Sequence, residues 1–259
     1  MKVARFAVEG EDPRYGIVDG DEIVVLRSDP IFAGFDTTGE RVPLADARLL
    51  APVIPRSKVV CVGLNYAEHR QDMANVDAPD NPLIFLKPNT AVVGPGDAIQ
   101  IPPVEGRITH EGELVVVIGR IAKQVTAENW ADYVFGYTIG NDVSARDLQV
   151  ADGQWARAKG FDTFAPLGPV IETEFDLADA AIQTRVNGEI RQDGNIADLI
   201  FGIPEIIAHA SAAFTLLPGD VIMTGTPAGV GPIVAGDKVE VEIEGLGILR
   251  NPVRAAQSA

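Results

Sequence analysis

The chain has 259 residues, of which 46% are hydrophobic, and a formal net charge of −16. This length is enough for one sizeable core with a small appended unit. The strong negative charge argues against nucleic acid or an anionic membrane as a partner. A small anionic substrate is still compatible with it, because a bound metal and a few local cations can override the field of the whole chain.

The cysteine content and the apolar runs indicate the cellular environment. The one cysteine, Cys61, lies in an apolar run and is expected to be a buried, inert thiol. A single cysteine permits no disulfide within the chain, which fits a reducing cytoplasm. Met1 to Arg5 lack the apolar core of a signal peptide, and no apolar run reaches membrane-spanning length. The sequence therefore predicts a cytoplasmic protein with no membrane partner.

Residues 1–55 are predicted to form a small β unit. Two apolar runs flank Asp19-Gly20-Asp21, a pattern typical of a β-hairpin. Pro52 and Pro55 then indicate a boundary. The unit has no cluster of histidines or carboxylates, so we expect a scaffold or an oligomer contact. The predicted division is a small N-terminal β domain over 1–55 and a catalytic domain over 56–259.

The next segment contains a candidate general base. An apolar strand predicted over Lys58 to Val62 leads into a helical turn with His69 and Asp72. Residues three apart on a helix share a face, so the carboxylate can orient the imidazole and raise its basicity. The alternative is a solvated surface pair. The following predicted strand ends at Lys87, which is either a cation of the site or an edge residue whose charged end reaches water.

Two glutamates precede the most apolar strand, predicted to run from Leu114 to Gly119. Because successive strand side chains alternate, Glu111 and Glu113 point to the same side. Two like charges at the mouth of a buried strand repel each other and lose hydration, and a cation would compensate. Ligands that are all oxygen favour Mg²⁺ or Mn²⁺. The alternative is two solvated carboxylates at a frayed strand end.

A third carboxylate, Asp142, follows the predicted strand Tyr133 to Ile139 and is well placed to be another ligand. Arg146 can orient Asp142 or grip a substrate carboxylate. The alternative is an N-cap aspartate followed by a surface ion pair. Lys159 lies among small and aromatic residues, where its charge can neutralise an enolate or a carboxylate, although a lone lysine is more often solvated.

Local signals predict several further elements. Thr126, with the acidic residues after it, predicts the N-terminus of a helix. Asn187-Gly188 between alternating apolar runs predicts a hairpin. Apolar residues at helical spacing predict a helix over Ile203 to Ala213, with His209 as a packing residue. Thr224 to Gly231 is a loop of small residues whose N–H groups and hydroxyls can hold an anion.

Seven short motifs occur in an order that is specific, although each motif is modest by itself. They are Val62-Gly63-Leu64-Asn65-Tyr66-Ala67-Glu68-His69, Phe85-Leu86-Lys87-Pro88, His110-Glu111-Gly112-Glu113, Asn141-Asp142-Val143-Ser144-Ala145-Arg146-Asp147, Ala158-Lys159-Gly160-Phe161-Asp162, Val186-Asn187-Gly188-Glu189 and Thr224-Gly225-Thr226-Pro227-Ala228-Gly229-Val230-Gly231. On these residues the chain resembles the fumarylacetoacetate hydrolase superfamily, from residue 58 to about residue 250.

The resemblance implies an α+β fold that is mainly β. The expected architecture is a rolled, mixed β core with peripheral helices, preceded by the small N-terminal β domain and assembled as a homodimer. By position, the resemblance implies that Glu111, Glu113 and Asp142 bind Mg²⁺ or Mn²⁺.

The resemblance also implies roles around the substrate. Lys159 would contact the developing oxyanion, and His69 would be the general base. Arg146 and Gln149 would surround the substrate, and Thr226 would hold its carboxylate. Relatives often carry Glu as the acidic partner of the histidine, whereas this chain has the shorter Asp72.

The implied activity is metal-dependent enolate chemistry on a small anionic 2-oxo or 2-enol (di)carboxylate. The expected enzyme is an isomerase or decarboxylase of the 2-hydroxyhepta-2,4-diene-1,7-dioate type in aromatic catabolism. Alternatives are an acylpyruvate (fumarylpyruvate-type) hydrolase and an oxaloacetate decarboxylase. A catalytically decayed, ligand-binding paralogue is an alternative of another class. A Ca²⁺-dependent adhesive module is disfavoured, because the candidate ligands come from distant strands and not from one loop.

Overall fold

The computed structural model describes residues 1–67 and 79–256, which form mainly β structure with a few short helices. The strands are Lys2–Ala7 (β1), Arg14–Asp19 (β2), Glu22–Leu26 (β3), Thr37–Pro43 (β4), Arg48–Leu49 (β5), Val59–Gly63 (β6), Leu83–Lys87 (β7), Val92–Val93 (β8), Ile99–Ile101 (β9), Ile108–Thr109 (β10), Gly112–Ile118 (β11), Val134–Asn141 (β12), Ser144–Ala145 (β13), Ala165–Glu172 (β14), Ala181–Val186 (β15), Glu189–Asn195 (β16), Val221–Met223 (β17), Lys238–Ile243 (β18) and Gly247–Ala255 (β19). The α-helices are Pro30–Ala33 (α1), Arg146–Asp152 (α2), Ala156–Lys159 (α3) and Ile203–Ala213 (α4). Short 3₁₀ turns occupy Leu44–Asp46, Asn89–Ala91, Trp130–Tyr133 and Ile196–Asp198. None of these described helices is long and apolar enough to span a membrane.

The largest sheet is mixed. Its strand order is β4-β3-β2-β1-β14-β12-β11-β17-β6-β7, with β5 beside β1 and β8 beside β14. Most neighbours are antiparallel, but β17 runs parallel to β6 and β14 runs parallel to β8. A second sheet has the order β16-β15-β18-β19-β9, and β10 pairs with β13. The N-terminal strands thus join the large sheet through β1 and β14, while the predicted boundary between residues 55 and 56 stays a prediction.

Strand β11 lies near the middle of the large sheet, and every residue from Gly112 to Ile118 is buried. This confirms the prediction of a strand covered on both faces. Leu114, Val116 and Ile118 belong to one hydrophobic cluster, and the two valines between them belong to another. Burial of each such side chain contributes about 1.5–3 kcal/mol to the free energy of folding. The position of β11 is therefore well fixed, and so is that of the residues that precede it.

Two of the local predictions are confirmed. The hairpin of β15 and β16 turns at Asn187 and Gly188, whose φ angles of +54° and +85° match the left-handed turn that Asn-Gly favours. Helix α4 has the predicted bounds.

Two other local predictions are wrong. Residues 126–129 form a turn, with a hydrogen bond from Asn129 N to Thr126 O, and only one 3₁₀ turn follows before β12 begins. The side chain of Asn129 accepts a hydrogen bond from Thr126 N at 3.0 Å and so stabilises the turn. His209 is exposed, because the packed face of α4 is formed by Ile203, Ile206 and their neighbours one turn on.

Candidate active site

The antiparallel pairing of β11 with β12 brings three carboxylates together. Gly112 faces Asn141, so Glu111 before β11 lies opposite Asp142 after β12. Asp142 N donates to Glu111 O at 2.8 Å, and Glu111 N donates to Asn141 Oδ1 at 2.9 Å. One carboxylate oxygen from each of Glu111, Glu113 and Asp142 lies within 4.8 Å of the other two, and all three residues are buried. The three predicted ligands therefore meet at one point.

Two buried lysines contact this carboxylate cluster. Lys159 Nζ, at the end of α3, lies 2.7 Å from Glu111 Oε2 and 2.6 Å from Asp142 Oδ2. Burial by itself lowers the pKa of Lys159, but the carboxylates of Asp142 and Glu111 outweigh it and raise that pKa, so the ammonium stays charged at neutral pH. Lys87, at the end of β7, pairs with Asp142 and is 1% exposed. Of the two alternatives for Lys87, the structure therefore supports a cation of the site.

Glu113 has a different environment from the other two carboxylates. Its Oε2 accepts a hydrogen bond from Gly225 N at 2.7 Å, and no lysine or arginine in residues 1–67 and 79–256 forms an ion pair with it. Burial raises the pKa of Glu113 well above its usual range, and the nearby charges of Asp142 and Glu111 raise it further. A cation placed among the three carboxylates would reverse this effect.

The residues present fit a hard divalent metal ion. The donor atoms are all carboxylate oxygens, which suit Mg²⁺ or Mn²⁺ and lack the nitrogen and sulfur atoms that most zinc sites use. Glu113 lies in β11, and Glu111 and Asp142 lie directly beside the paired ends of β11 and β12, so their positions are set by the backbone pairing. The structure thus supports the predicted acidic metal site.

The carboxylate cluster lines a small open cleft. One wall is apolar and is formed by Val62, Gly63, Leu64 and Trp155. The three predicted substrate-binding residues, Arg146, Gln149 and Thr226, also line the cleft. The cleft thus combines one apolar wall with charged and polar groups that can fix the orientation of a small ligand.

Arg146 and Gln149 are already linked to each other and to the carboxylate cluster. Arg146 pairs with Glu111, and its Nη1 donates to Gln149 Oε1 at 2.9 Å. Because the amide oxygen of Gln149 is engaged in this way, the group that Gln149 offers to a ligand is its NH₂. An NH₂ group donates hydrogen bonds, which is the property needed to bind a carboxylate.

Gln192 is not identified as a residue of the site from the sequence, although it contacts Thr226, the residue predicted to bind the substrate carboxylate. Gln192 Nε2 donates to Thr226 Oγ1 at 2.7 Å, and Thr226 Oγ1 donates to Gly112 O at 2.8 Å. Gln192 Oε1 accepts from Gly112 N at 3.0 Å. The Thr226 hydroxyl has one proton, and it is donated to Gly112 O. The hydroxyl must therefore rotate away from Gly112 O before it can donate to a substrate carboxylate. No sequence signal marks Gln192, because it lies on β16, 80 residues from Gly112.

His110 belongs to the same buried network. Its Nδ1 lies 3.2 Å from Gln192 Oε1, an acceptor, so the proton of the neutral ring is on Nδ1. Burial lowers the pKa of His110 to about 4, so the ring is neutral at physiological pH. The proposed general base His69 and its partner Asp72 lie outside the described residues.

Two family models match the chain. The model described as "Fumarylacetoacetate (FAA) hydrolase C-terminal" matches residues 58–254, and the model described as "Rv2993c-like, N-terminal" matches residues 1–52. Protein Rv2993c of Mycobacterium tuberculosis is 55% identical over 219 residues, which are 83% of this chain and 82% of that protein. The rat mitochondrial oxaloacetate tautomerase Fahd2a is 45% identical over 223 residues, which are 82% of this chain and 71% of that enzyme.

Solved structures give the same relationship. A 5-carboxymethyl-2-hydroxymuconate delta-isomerase from Mycobacterium smegmatis is 48% identical, with a TM-score of 0.92 over 99% of this chain and 100% of that one. Maleylpyruvate hydrolase from Sphingobium sp. SYK-6, solved with manganese(II) and pyruvate, is 35% identical, with a TM-score of 0.83 over 99% and 100% of the two chains. These similarities confirm the predicted fold, mainly β with a small N-terminal β domain.

Proposed function

Because this chain belongs to the fumarylacetoacetate hydrolase family, we propose that it is a divalent-metal-dependent enzyme acting on small 2-oxo or 2-enol carboxylates. One observation carries the proposal: Glu111, Glu113 and Asp142 are buried together at a cleft that also contains the ammonium of Lys159. A Mg²⁺ or Mn²⁺ ion held by these three carboxylates would supply a Lewis acid for the 2-oxo group. Mn²⁺ and pyruvate bound to the related maleylpyruvate hydrolase support both the metal and the kind of acid.

The residues of the cleft have separate proposed tasks. Lys159 keeps its proton and stabilises negative charge that develops on the substrate oxygen. The Gln149 amide and the Arg146 guanidinium orient the substrate, and the Thr226 hydroxyl holds its carboxylate after turning from Gly112 O. The apolar wall with Trp155 excludes water from one side of the substrate.

Proton transfer is assigned to His69, with Asp72 as the acid that orients it. This assignment comes from the sequence, and both residues lie outside the described part of the chain. A base in this role would remove a proton beside the 2-oxo group and return it to a different atom. Activation of a water molecule by the same base would give hydrolysis in its place.

Among the reactions open to such a site, we propose isomerisation or decarboxylation of the 2-hydroxyhepta-2,4-diene-1,7-dioate type, in aromatic catabolism. Relatives named as a delta-isomerase and as a tautomerase support a proton shift. Hydrolysis of an acylpyruvate is the second candidate, which the relative named maleylpyruvate hydrolase supports. Oxaloacetate decarboxylation is a further alternative. The paired, buried ligands and Lys159 argue against a catalytically decayed paralogue.

A substrate screen tests the proposal. The purified protein is stripped with EDTA, reloaded with Mg²⁺ or Mn²⁺, and incubated with oxaloacetate, acylpyruvates and hydroxymuconate-type diacids. Loss or gain of enol absorbance reports isomerisation, released CO₂ reports decarboxylation, and released acid with pyruvate reports hydrolysis. We expect turnover that requires the metal. Tight metal binding without turnover of any of these acids would favour the decayed paralogue.

We also propose a cytoplasmic homodimer. Light scattering of the purified protein is expected to give twice the chain mass of 27.5 kDa. A mass of one chain across the micromolar range would reject this assembly.

A further inference from the structure

Asn65 is a fully buried polar residue that the proposed reaction does not use. It comes two residues after β6, next to Leu64, whose φ of +59° is left-handed and unusual for a residue with a bulky side chain. Such backbone conformations persist only where surrounding contacts hold them, and they often occur at functional sites. The hydrogen bonds of Asn65 therefore indicate which part of the site this residue supports.

The side-chain amide of Asn65 makes hydrogen bonds to two distant segments. Its Oδ1 accepts from Phe201 N at 2.8 Å, and its Nδ2 donates to Phe201 O at 3.0 Å and to Thr224 O at 2.7 Å. A backbone N–H can only donate and a carbonyl can only accept, so the orientation of this amide is unambiguous. Asn65 is thus held by Phe201 and in turn holds the carbonyl of Thr224.

That carbonyl belongs to the same peptide unit as the N–H of Gly225. The N–H donates to Glu113 Oε2 at 2.7 Å, so one peptide unit is held by Asn65 at its oxygen and by Glu113 at its nitrogen. The segment packs closely here: a Cβ added to Gly225, whose φ is +105°, would lie 2.7 Å from the Cβ of Asn65. The peptide plane therefore has little room to rotate.

We propose that Asn65 is a positioning residue for the metal ligand Glu113, acting through the Thr224–Gly225 peptide. Glu113 is the carboxylate of the cluster that forms no ion pair within the described residues, so the Gly225 N–H is the donor that orients it. Held at Oε2, the carboxylate presents a defined arrangement of its oxygens to a cation. This inference rests on the proposed function, because it assumes that the carboxylate cluster binds a metal.

Asn65→Ala removes the donor to Thr224 O, and Asn251→Ala is the matched control. Asn251 is also buried, its Nδ2 also donates to two backbone carbonyls, and it lies on β19 in the second sheet. Mn²⁺ binding to each full-length protein is measured by titration calorimetry. We expect the Mn²⁺ dissociation constant to rise about tenfold for Asn65→Ala, as for other outer partners of metal ligands, and less than twofold for Asn251→Ala.

A spectroscopic readout separates positioning from general loosening. The Gly225 N–H bonded to a carboxylate should give a downfield amide proton in the spectrum of the ¹⁵N-glycine-labelled protein, and Asn65→Ala should move it upfield while the Asn251 variant leaves it in place. If Asn65→Ala does not fold, both readouts are applied to Asn65→Leu, which has a branched side chain that fills the space and also lacks the donor to Thr224 O.

Three results would overturn the inference. An unchanged dissociation constant and Gly225 resonance in the Asn65 variant would refute it and leave the proposed function intact. An equal loss of Mn²⁺ affinity in both asparagine variants would assign the effect to general loosening. Absence of Mn²⁺ binding by the unaltered protein would reject the metal site itself, and the inference with it.

Discussion

At the scale of single residues, Glu113 is distinguished by its charge environment. Its carboxylate accepts from a backbone N–H, whereas Glu111 and Asp142 each contact lysine or arginine side chains. A bound cation would therefore stabilise the charge of Glu113 more than that of the other two carboxylates. This makes Glu113 the most informative position for testing the site.

Glu113→Gln is expected to lower metal-dependent turnover by about 100-fold or more, since a ligand to the Lewis acid is lost. Without metal, the variant should be at least as stable as the unaltered protein, because a neutral amide relieves the repulsion among the three carboxylates. Turnover with Mg²⁺ and melting in EDTA are the measurements. Glu105→Gln, at an exposed position, is the control, and full turnover by the Glu113 variant would reject the ligand assignment.

Lys159→Met separates catalysis from metal binding. We expect turnover to fall by about 100-fold, because a charge that stabilises the developing oxyanion is removed. Mn²⁺ affinity should stay equal or increase, because the ammonium no longer competes for Glu111 and Asp142. Calorimetry and initial rates measure the two quantities, and the exposed Lys123→Met is the control. A large loss of Mn²⁺ affinity in the Lys159 variant would contradict the proposed role.

At the scale of elements, a buried carboxylate joins the starts of two parallel strands, whose other ends lead to the cleft. Asp220 precedes β17 and is 0% exposed. Its carboxylate accepts from Ser57 N at 2.9 Å, from Lys58 N at 3.2 Å and from Lys58 Nζ at 2.8 Å, just before β6. These bonds agree with the register in which Val221 faces Val59, and so they help to align β17 with β6.

Stability should depend on pH through Asp220. Burial by itself raises the pKa of Asp220, but hydrogen bonds from Lys58, Leu217 and Ser57 outweigh it and hold that pKa below the ordinary value of 3.8. A carboxyl whose pKa is lower in the folded state stabilises the fold above the unfolded-state pKa. This contribution is lost as pH falls below 3.8 through the folded-state pKa.

Asp220→Asn is therefore expected to lower the free energy of unfolding by about 3 kcal/mol at pH 7, and by much less well below pH 3.8. Denaturant unfolding at several pH values measures the difference. Asp36→Asn alters an exposed ion pair with Arg27 and should have little effect at any pH. If the loss of unfolding free energy in Asp220→Asn does not change with pH, the charge of the Asp220 carboxylate is not its cause.

At the scale of the whole molecule, the metal should stabilise the fold, because the carboxylate cluster lies between central strands of the large sheet. A ligand that binds only the folded state at 100 times its dissociation constant adds about 2.7 kcal/mol. For a chain of this size we expect a rise in melting temperature of about 5 °C or more with Mn²⁺.

The chain charge of −16 requires a control for salt, since any cation screens repulsion across the surface. KCl at matched ionic strength should give a much smaller rise. Glu113→Gln should lose most of the Mn²⁺ effect. An equal rise with KCl, or in the Glu113 variant, would indicate general screening in place of a specific site.

The elements that the sequence by itself determined are those with short-range causes. The buried run of β11, the Asn187-Gly188 turn and the helix Ile203–Ala213 follow from side-chain alternation, left-handed turn residues and helical spacing. The three acidic ligand candidates were found for the same reason, since each lies at the end of a recognisable strand. The helix predicted at Thr126 does not form, because the side chain and the N–H of Asn129 close a turn with Thr126.

Only the tertiary structure decided which polar residues lie near these ligand candidates. The roles of Lys87, Gln192 and Asn65 depend on contacts between residues 55 to 159 positions apart in the chain. Sequence patterns report on neighbours within a strand or a helical turn, whereas these contacts are set by sheet order and register. The physical reason is that a buried charge or amide must find a partner when the sheets close, and the chain alone does not specify which distant group that partner is.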